Sequence, residues 1–178
     1  MASQEAYTPL IIWVDDNISH KVNLTDYAKG LGIDIHTFTS TVDSKAWMDQ
    51  ILGKLTLNYG LTSVDFLKAN DSGDKIRVIT DQARVEPRPK GEKGTWVNTH
   101  AGKELALYIR YDLGLKLPIL IYTGEVGIII TRYIKNFDNA GSTRSREIIH
   151  EYIEGLVGKN DSTQWAHFDA KPSSDKET

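Results

Sequence analysis

The stretch that most constrains this chain is Pro9-Leu10-Ile11-Ile12-Trp13-Val14-Asp15-Asp16-Asn17. Five apolar residues, Leu10 to Val14, run without a break and stop at two adjacent acids. An apolar run this short, ended by a polar turn, reads as a strand buried on both faces, as in a parallel sheet. Two carboxylates at its end repel each other and are costly to desolvate. They are tolerated most easily with a cation between them or water around them. In open parallel sheets the carboxyl ends of the strands form the ligand crevice. The first strand therefore proposes a site for a hard, oxygen-seeking ion such as Mg²⁺.

The rest of the chain supplies partners for that strand. A helix is expected over about 22–31, with Leu24, Tyr27, Ala28 and Leu31 on one face, stopped near Gly30 and Gly32. The alternation Ile33-Asp34-Ile35-His36-Thr37-Phe38 predicts a strand near a sheet edge. Ser40 and Asp43 form a candidate capping box for a helix that buries Trp47, Met48, Ile51, Leu52 and Leu55. A short helix at 63–69 and a turn at 70–74 come next. Ile76–Thr80 is the third strand, ending at Asp81. Arg84 to His100 is polar, carries Pro87, Pro89, Gly91 and Gly94, and reads as a long basic loop. Helices are expected at 102–113, 126–137 and 145–156. The fourth strand, at 118–122, ends at Thr123, and Gly141-Ser142-Thr143 is a short fifth. The polar tail from Gly158 reads as disordered or loosely docked, with Trp165 and Phe168 its only candidates for docking. The repeated βα alternation predicts one α/β domain, a parallel sheet with helices on both faces.

Bulk properties narrow the function classes. The 178 residues carry a net charge of −3, which gives no electrostatic footprint for nucleic acid. With no cysteine there is no disulfide, thiol catalysis or thiolate metal site. The polar N-terminus lacks the apolar core of a signal peptide. The longest apolar runs, Leu117–Tyr122 and Val126–Ile130, are far too short to span a membrane. A cytoplasmic, soluble protein is expected. The five histidines are scattered without metal-ligand spacing and read as surface or satisfied positions. Trp13 and Trp47 read as core, and Trp96 as a docking residue of the loop or a partner contact.

Three strands end in polar residues: Asp15 and Asp16, then Asp81, then Thr123. In a flavodoxin-like sheet of order 2-1-3-4-5, strands one and three are neighbours at the switch point, and the three carboxylates meet in one crevice. That set suits an octahedral divalent cation, and with a phosphate donor one carboxylate can act as nucleophile. The plainer alternative is that these acids only cap turns.

The segments Trp-Val-Asp15-Asp16-Asn, Val-Ile-Thr-Asp81 and Ile-Tyr-Thr123-Gly, in that order, resemble the response-regulator receiver domain, the CheY-like fold. The resemblance covers about 10–156. It implies a three-layer αβα sandwich: a receiver-like domain over 1–157, with a long insert at about 84–100 and a polar tail over 158–178. It implies Mg²⁺ held by Asp15, Asp16, Asp81 and the backbone carbonyl of Ala83, with Asp16 the main ligand. Asp81 becomes the phosphoacceptor and Thr123 the switch residue in contact with phosphate. A histidine kinase or phosphotransfer protein is the implied donor and a downstream protein the implied partner, with homodimers on the last-helix face an open option. No nucleic acid, no membrane and no enzyme activity beyond slow self-phosphorylation and dephosphorylation are implied.

The chain departs from the family where strand five should end in a Lys, usually before a Pro. Here it reads Ala140-Gly-Ser-Thr-Arg-Ser-Arg-Glu147. Thr143, Arg144 or Arg146 stands in, or nothing does. A pseudo-receiver, used as an interaction or dimerisation module without phosphotransfer, is therefore the main alternative. A phosphohydrolase is the third, but Asp81-Gln82-Ala83 lacks the second acid it would need.

Overall fold

The computed structural model describes residues 8–59, 75–160 and 162–172. Five parallel strands form the main sheet: β1 (Leu10–Val14), β2 (Asp34–Phe38), β3 (Ile76–Thr80), β6 (Ile119–Tyr122) and β7 (Ala140–Thr143). Their order is β2-β1-β3-β6-β7, the 2-1-3-4-5 arrangement expected. β4 (Arg84–Pro87) and β5 (Thr95–Asn98) form a separate antiparallel pair. The helices are α1 (Val22–Gly30), α2 (Thr41–Tyr59), α3 (Ala101–Leu107), α4 (Glu125–Ile128) and α5 (Arg146–Gly155).

The strands are apolar on both faces because both faces are covered. Side chains alternate along a strand, so Ile12, Val14, Val78, Ile119 and Ile121 enter one core with Met48 of α2 and Leu105 and Ile109 near α3. Ile11, Trp13, Ile79 and Leu120 enter the other, with Leu24 and Ala28 of α1 and Ile148, Tyr152 and Ile153 of α5. The result is a three-layer αβα sandwich. β2 lies at an edge and its residues are exposed or half-buried, as its alternation anticipated. Ser40 and Asp43 make the expected box, with Asp43 N donating to Ser40 Oγ at 3.1 Å. Trp47 is half-buried, its ring 5.5 Å from that of Phe38.

Three expectations need correction. The stretch 84–100 is a hairpin, not an open loop: Arg84 pairs with Asn98 and Val85 with Val97. Gly91 and Gly94, at φ of 103° and 94°, make the reversal that L side chains resist. The helix at 126–137 is α-helical only as far as Ile128 and continues as a 3₁₀ helix, Ile129–Asn136. Its run of β-branched residues, Ile128 to Thr131, is a weak α-helix former.

The third correction is the tail, whose described part is docked. His167 O accepts from Ser142 N at 2.9 Å, and Ala170 N donates to Ser142 O at 2.7 Å. Thr143 and Ala170 form a parallel bridge that extends the sheet beyond β7. Trp165 is 4% exposed and stacks edge-on against Tyr152. Gly141 makes this approach feasible, since a Cβ there would overlap the Trp165 carbonyl. The helix expected at 63–69, the turn at 70–74 and the side chains of Leu52 and Leu55 lie outside the described residues.

Candidate functional site at the carboxyl ends of the strands

Parallel pairing carries the chain past the end of each strand in register, and this brings the acids together. Asp15 N donates to Phe38 O at 2.9 Å and Asp81 N to Val14 O at 3.1 Å. Asp15 and Asp81 are thereby fixed on neighbouring strand ends. One carboxylate oxygen from each of Asp15, Asp16 and Asp81 lies within 4.8 Å of the others, the only such acid or histidine group among the described residues. The group opens into a cavity of about 750 Å³ whose lining includes Asp15, Asp16, Asp81, Ala83, Thr123 and Arg144.

Each acid is held differently. Asp15 is buried, and its Oδ1 accepts from Asn17 N at 2.8 Å, closing the turn after β1. Lys21 Nζ stands 3.9 Å from its Oδ2. Asp16 is exposed, and its Oδ2 accepts from Val85 N at 2.6 Å, which ties it to the hairpin. Asp81 is mostly buried and faces Arg84, whose Nε lies 3.0 Å from its Oδ1. Burial pushes the Asp81 carboxyl up to about 7, with Arg84 pulling it back and Asp15 and Asp16 adding to the rise. All three are hard oxygen donors that face the cavity, a set that fits Mg²⁺ completed by waters.

The Asp81 turn is anchored from below. Gln82 is buried; its Nε2 donates to Thr99 O at 2.7 Å and its Oε1 accepts from Tyr133 Oη at 2.6 Å. Gly102 N donates to Gln82 O. A Cβ on Gly102 would come within 2.6 Å of Asp81 O, so α3 packs against the Asp81 peptide only because residue 102 has no side chain.

On the β7 side, Thr123 ends β6, with its N–H donating to Thr143 O at 3.1 Å. Its hydroxyl lies over Gly127, where a Cβ would overlap it. Thr143 is fully buried and absent from the cavity lining. Its hydroxyl donates to Ala170 O at 2.7 Å and accepts from Ser145 N at 2.9 Å, so it has no capacity left for an anion. Arg144 does reach the cavity, but it is engaged: Nε and Nη2 bind the two oxygens of Asp169 at 3.1 and 3.0 Å.

Sequence reasoning missed Arg84, Glu86 and the tail's contribution of Asp169, Ala170 and Lys171 to the cavity rim. The sequence places Arg84 at the start of a basic loop, yet it is 1% exposed. The available signal was its place three residues after the acid at a strand end.

No family model and no curated protein matches the sequence. Among solved structures, the chain is similar to a response regulator receiver protein from Pseudomonas putida, at 20% identity and a TM-score of 0.43, over 87% of this chain and 99% of that one. It is also similar to one from Burkholderia phymatum, at 16% identity and a TM-score of 0.44, over 84% and 95%. A third is the Legionella pneumophila response regulator LqsR, at 15% identity and a TM-score of 0.44, over 85% of this chain and 43% of that one. The sheet order and the helices on both faces give this chain the flavodoxin-like fold.

Proposed function

We propose that this chain is a signalling receiver-type domain, cytoplasmic, that binds Mg²⁺ and accepts a phosphoryl group on Asp81. The observation that carries the reading is the convergence of Asp15, Asp16 and Asp81 at the ends of β1 and β3. Asp15, Asp16 and Asp81, with the Ala83 carbonyl, would hold the ion, which would neutralise charge on the transferring phosphoryl group. Asp81 supplies the nucleophilic oxygen. The Thr123 hydroxyl, turned off Gly127, can donate to a phosphoryl oxygen. The donor is a histidine kinase or phosphotransfer protein, and the output is contact with a downstream protein. Beyond slow self-phosphorylation and dephosphorylation, no enzymatic turnover is proposed.

The Asp81–Arg84 pair supports a second reading, a pseudo-receiver whose acceptor is already neutralised and whose surface does the signalling. The two are separated by intact-mass measurement after incubation with Mg²⁺ and acetyl phosphate. A phosphate adduct that Asp81→Asn abolishes supports phosphotransfer. Saturable Mg²⁺ binding, read by tryptophan fluorescence, with no adduct supports the pseudo-receiver. Absence of Mg²⁺ binding would refute the metal site in both.

A further inference from the structure

Arg84 opens β4 and has its whole guanidinium out of water. A buried cation is retained only with anions beside it. Its Nε lies 3.0 Å from Asp81 Oδ1 and 3.6 Å from Glu86 Oε1. Its Nη2 donates to Thr80 Oγ1 at 2.6 Å. Glu86 is itself clamped, because its Oε1 accepts from Thr41 N at 2.9 Å at the start of α2. The guanidinium is thus held from three sides. Asp81 Oδ1 is buried and makes no hydrogen bond, while the side chain as a whole keeps 13% exposure. Oδ2 is therefore the oxygen that a phosphoryl donor in the cavity can reach.

We infer that Arg84 sets the lifetime of the phosphorylated state by stabilising the carboxylate as it leaves, an inference that rests on the phosphoacceptor reading above. In phosphorylation the Oδ2–P bond forms, the donor's own bond to phosphorus breaks, and the negative charge that faced Arg84 is lost. In hydrolysis water attacks phosphorus, the Oδ2–P bond breaks and its electron pair returns to the carboxylate. The water's proton goes to the released phosphate or to solvent. The returning charge spreads to Oδ1, beside Nε. A cation fixed where charge develops lowers the barrier to that step. It also favours the free carboxylate over the acyl phosphate. The acceptor's own loop thereby carries a reset group, and Glu86, which shares the guanidinium, moderates it.

The test is the half-life of the purified phosphoprotein, followed by intact mass, with beryllofluoride affinity in Mg²⁺ as the check that the site is intact. Arg84→Gln is expected to lengthen the half-life by roughly tenfold or more, at or below the effect of removing one preorganised donor from a charged transition state. Glu86→Gln keeps an oxygen for Thr41 but gives Arg84 wholly to Asp81, so it is expected to shorten the half-life. A merely structural role would not produce opposite signs. An unchanged or shorter half-life in Arg84→Gln, with beryllofluoride binding retained, overturns the inference. Should that variant not fold, an unchanged or longer half-life in Glu86→Gln overturns it. Wild-type protein that binds Mg²⁺ but never forms the acyl phosphate sinks the phosphoacceptor reading and this one with it.

Discussion

Asp81 with Arg84 on one wall of the cavity and Arg144 with Asp169 on the other are both ion pairs near strand ends, yet they differ in burial. The first pair has side-chain exposures of 13% and 0%; the second has 34% and 21%. The first is set by the sheet itself, since Asp81 N is bonded to Val14 and Arg84 is wedged between Thr80 and Glu86. The second is made by a tail that docks on β7 from outside the βα alternation. Charges fixed in a dry wall perturb one another strongly, whereas charges at a wet rim are screened and mobile. The acid wall is thus where the fold fixes the charges, and the tail wall is where they are left adjustable.

The largest expected consequence of that difference is a pH dependence that belongs to the acid wall. Asp81 titrates near 7 in the folded protein, against 3.8 ordinarily. Between those values the folded state holds a proton that the unfolded state has released, so stability falls as pH rises. The limiting slope is about 1.4 kcal/mol per pH unit, or roughly a few kcal/mol across the window. Denaturant titrations without divalent ions are expected to show greatest stability near pH 4 to 5, with that slope lost in Asp81→Asn. A wild-type profile that rises from pH 4 to 7 would break the contrast between the walls.

Matched substitutions sharpen it next. Gly102→Ala places a methyl within 2.6 Å of Asp81 O and 3.2 Å of Gln82 Cα, both backbone atoms. The strain has no outlet except to move Asp81, so a loss of about 1–3 kcal/mol in stability is expected, together with weakened Mg²⁺ binding. Gly141→Ala drives a methyl into the Trp165 carbonyl. Here the tail can simply leave, exposing Trp165 at a cost of roughly 1.5–3 kcal/mol. Limited proteolysis beyond residue 157 and a red-shifted tryptophan emission are the expected signs, with Mg²⁺ affinity retained. Equal losses of Mg²⁺ affinity in the two variants would show that the walls are not independent.

The same contrast explains what could be read from sequence. Leu10–Val14, Ile76–Thr80 and Ile119–Tyr122 are buried on both faces, so each announces itself as an apolar run and places the polar residue after it. Asp15, Asp16, Asp81 and Thr123 follow from that rule and share the cavity; Ala83 and Arg144, which only the family resemblance singled out, share it too. The hairpin was hidden because its alternation is inverted: Arg84 and Glu86 point inward and Val85 is exposed, so burial follows charge rather than hydropathy. The tail was legible only at Trp165, which is buried as a docking residue; the backbone hydrogen bonds that align it along β7 leave no trace in composition. Thr143 was misjudged for the same reason, since the group that occupies its hydroxyl is a tail carbonyl 27 residues away.

The smallest expected effect is on the rim. Asp169 binds Arg144 through both oxygens, while Glu125 stands 4.0 Å from the same guanidinium and Lys171 3.9 Å from Asp169. Partly exposed pairs of this kind contribute about 0–1 kcal/mol, so Asp169→Asn is expected to leave thermal stability nearly unchanged. What changes is availability. Arg144 already lines the cavity, and without the Asp169 carboxylate its planar fork is free to meet an anion there, a task suited to a guanidinium. The expected result is tighter beryllofluoride binding in Mg²⁺, by a few-fold, and loss of that gain when Arg144→Gln is added. If Asp169→Asn instead weakens binding, the tail's carboxylate is part of the site's own polar framework rather than a competitor for its cation. The boundary between a fixed acid wall and an adjustable rim would then lie farther out, at Lys171.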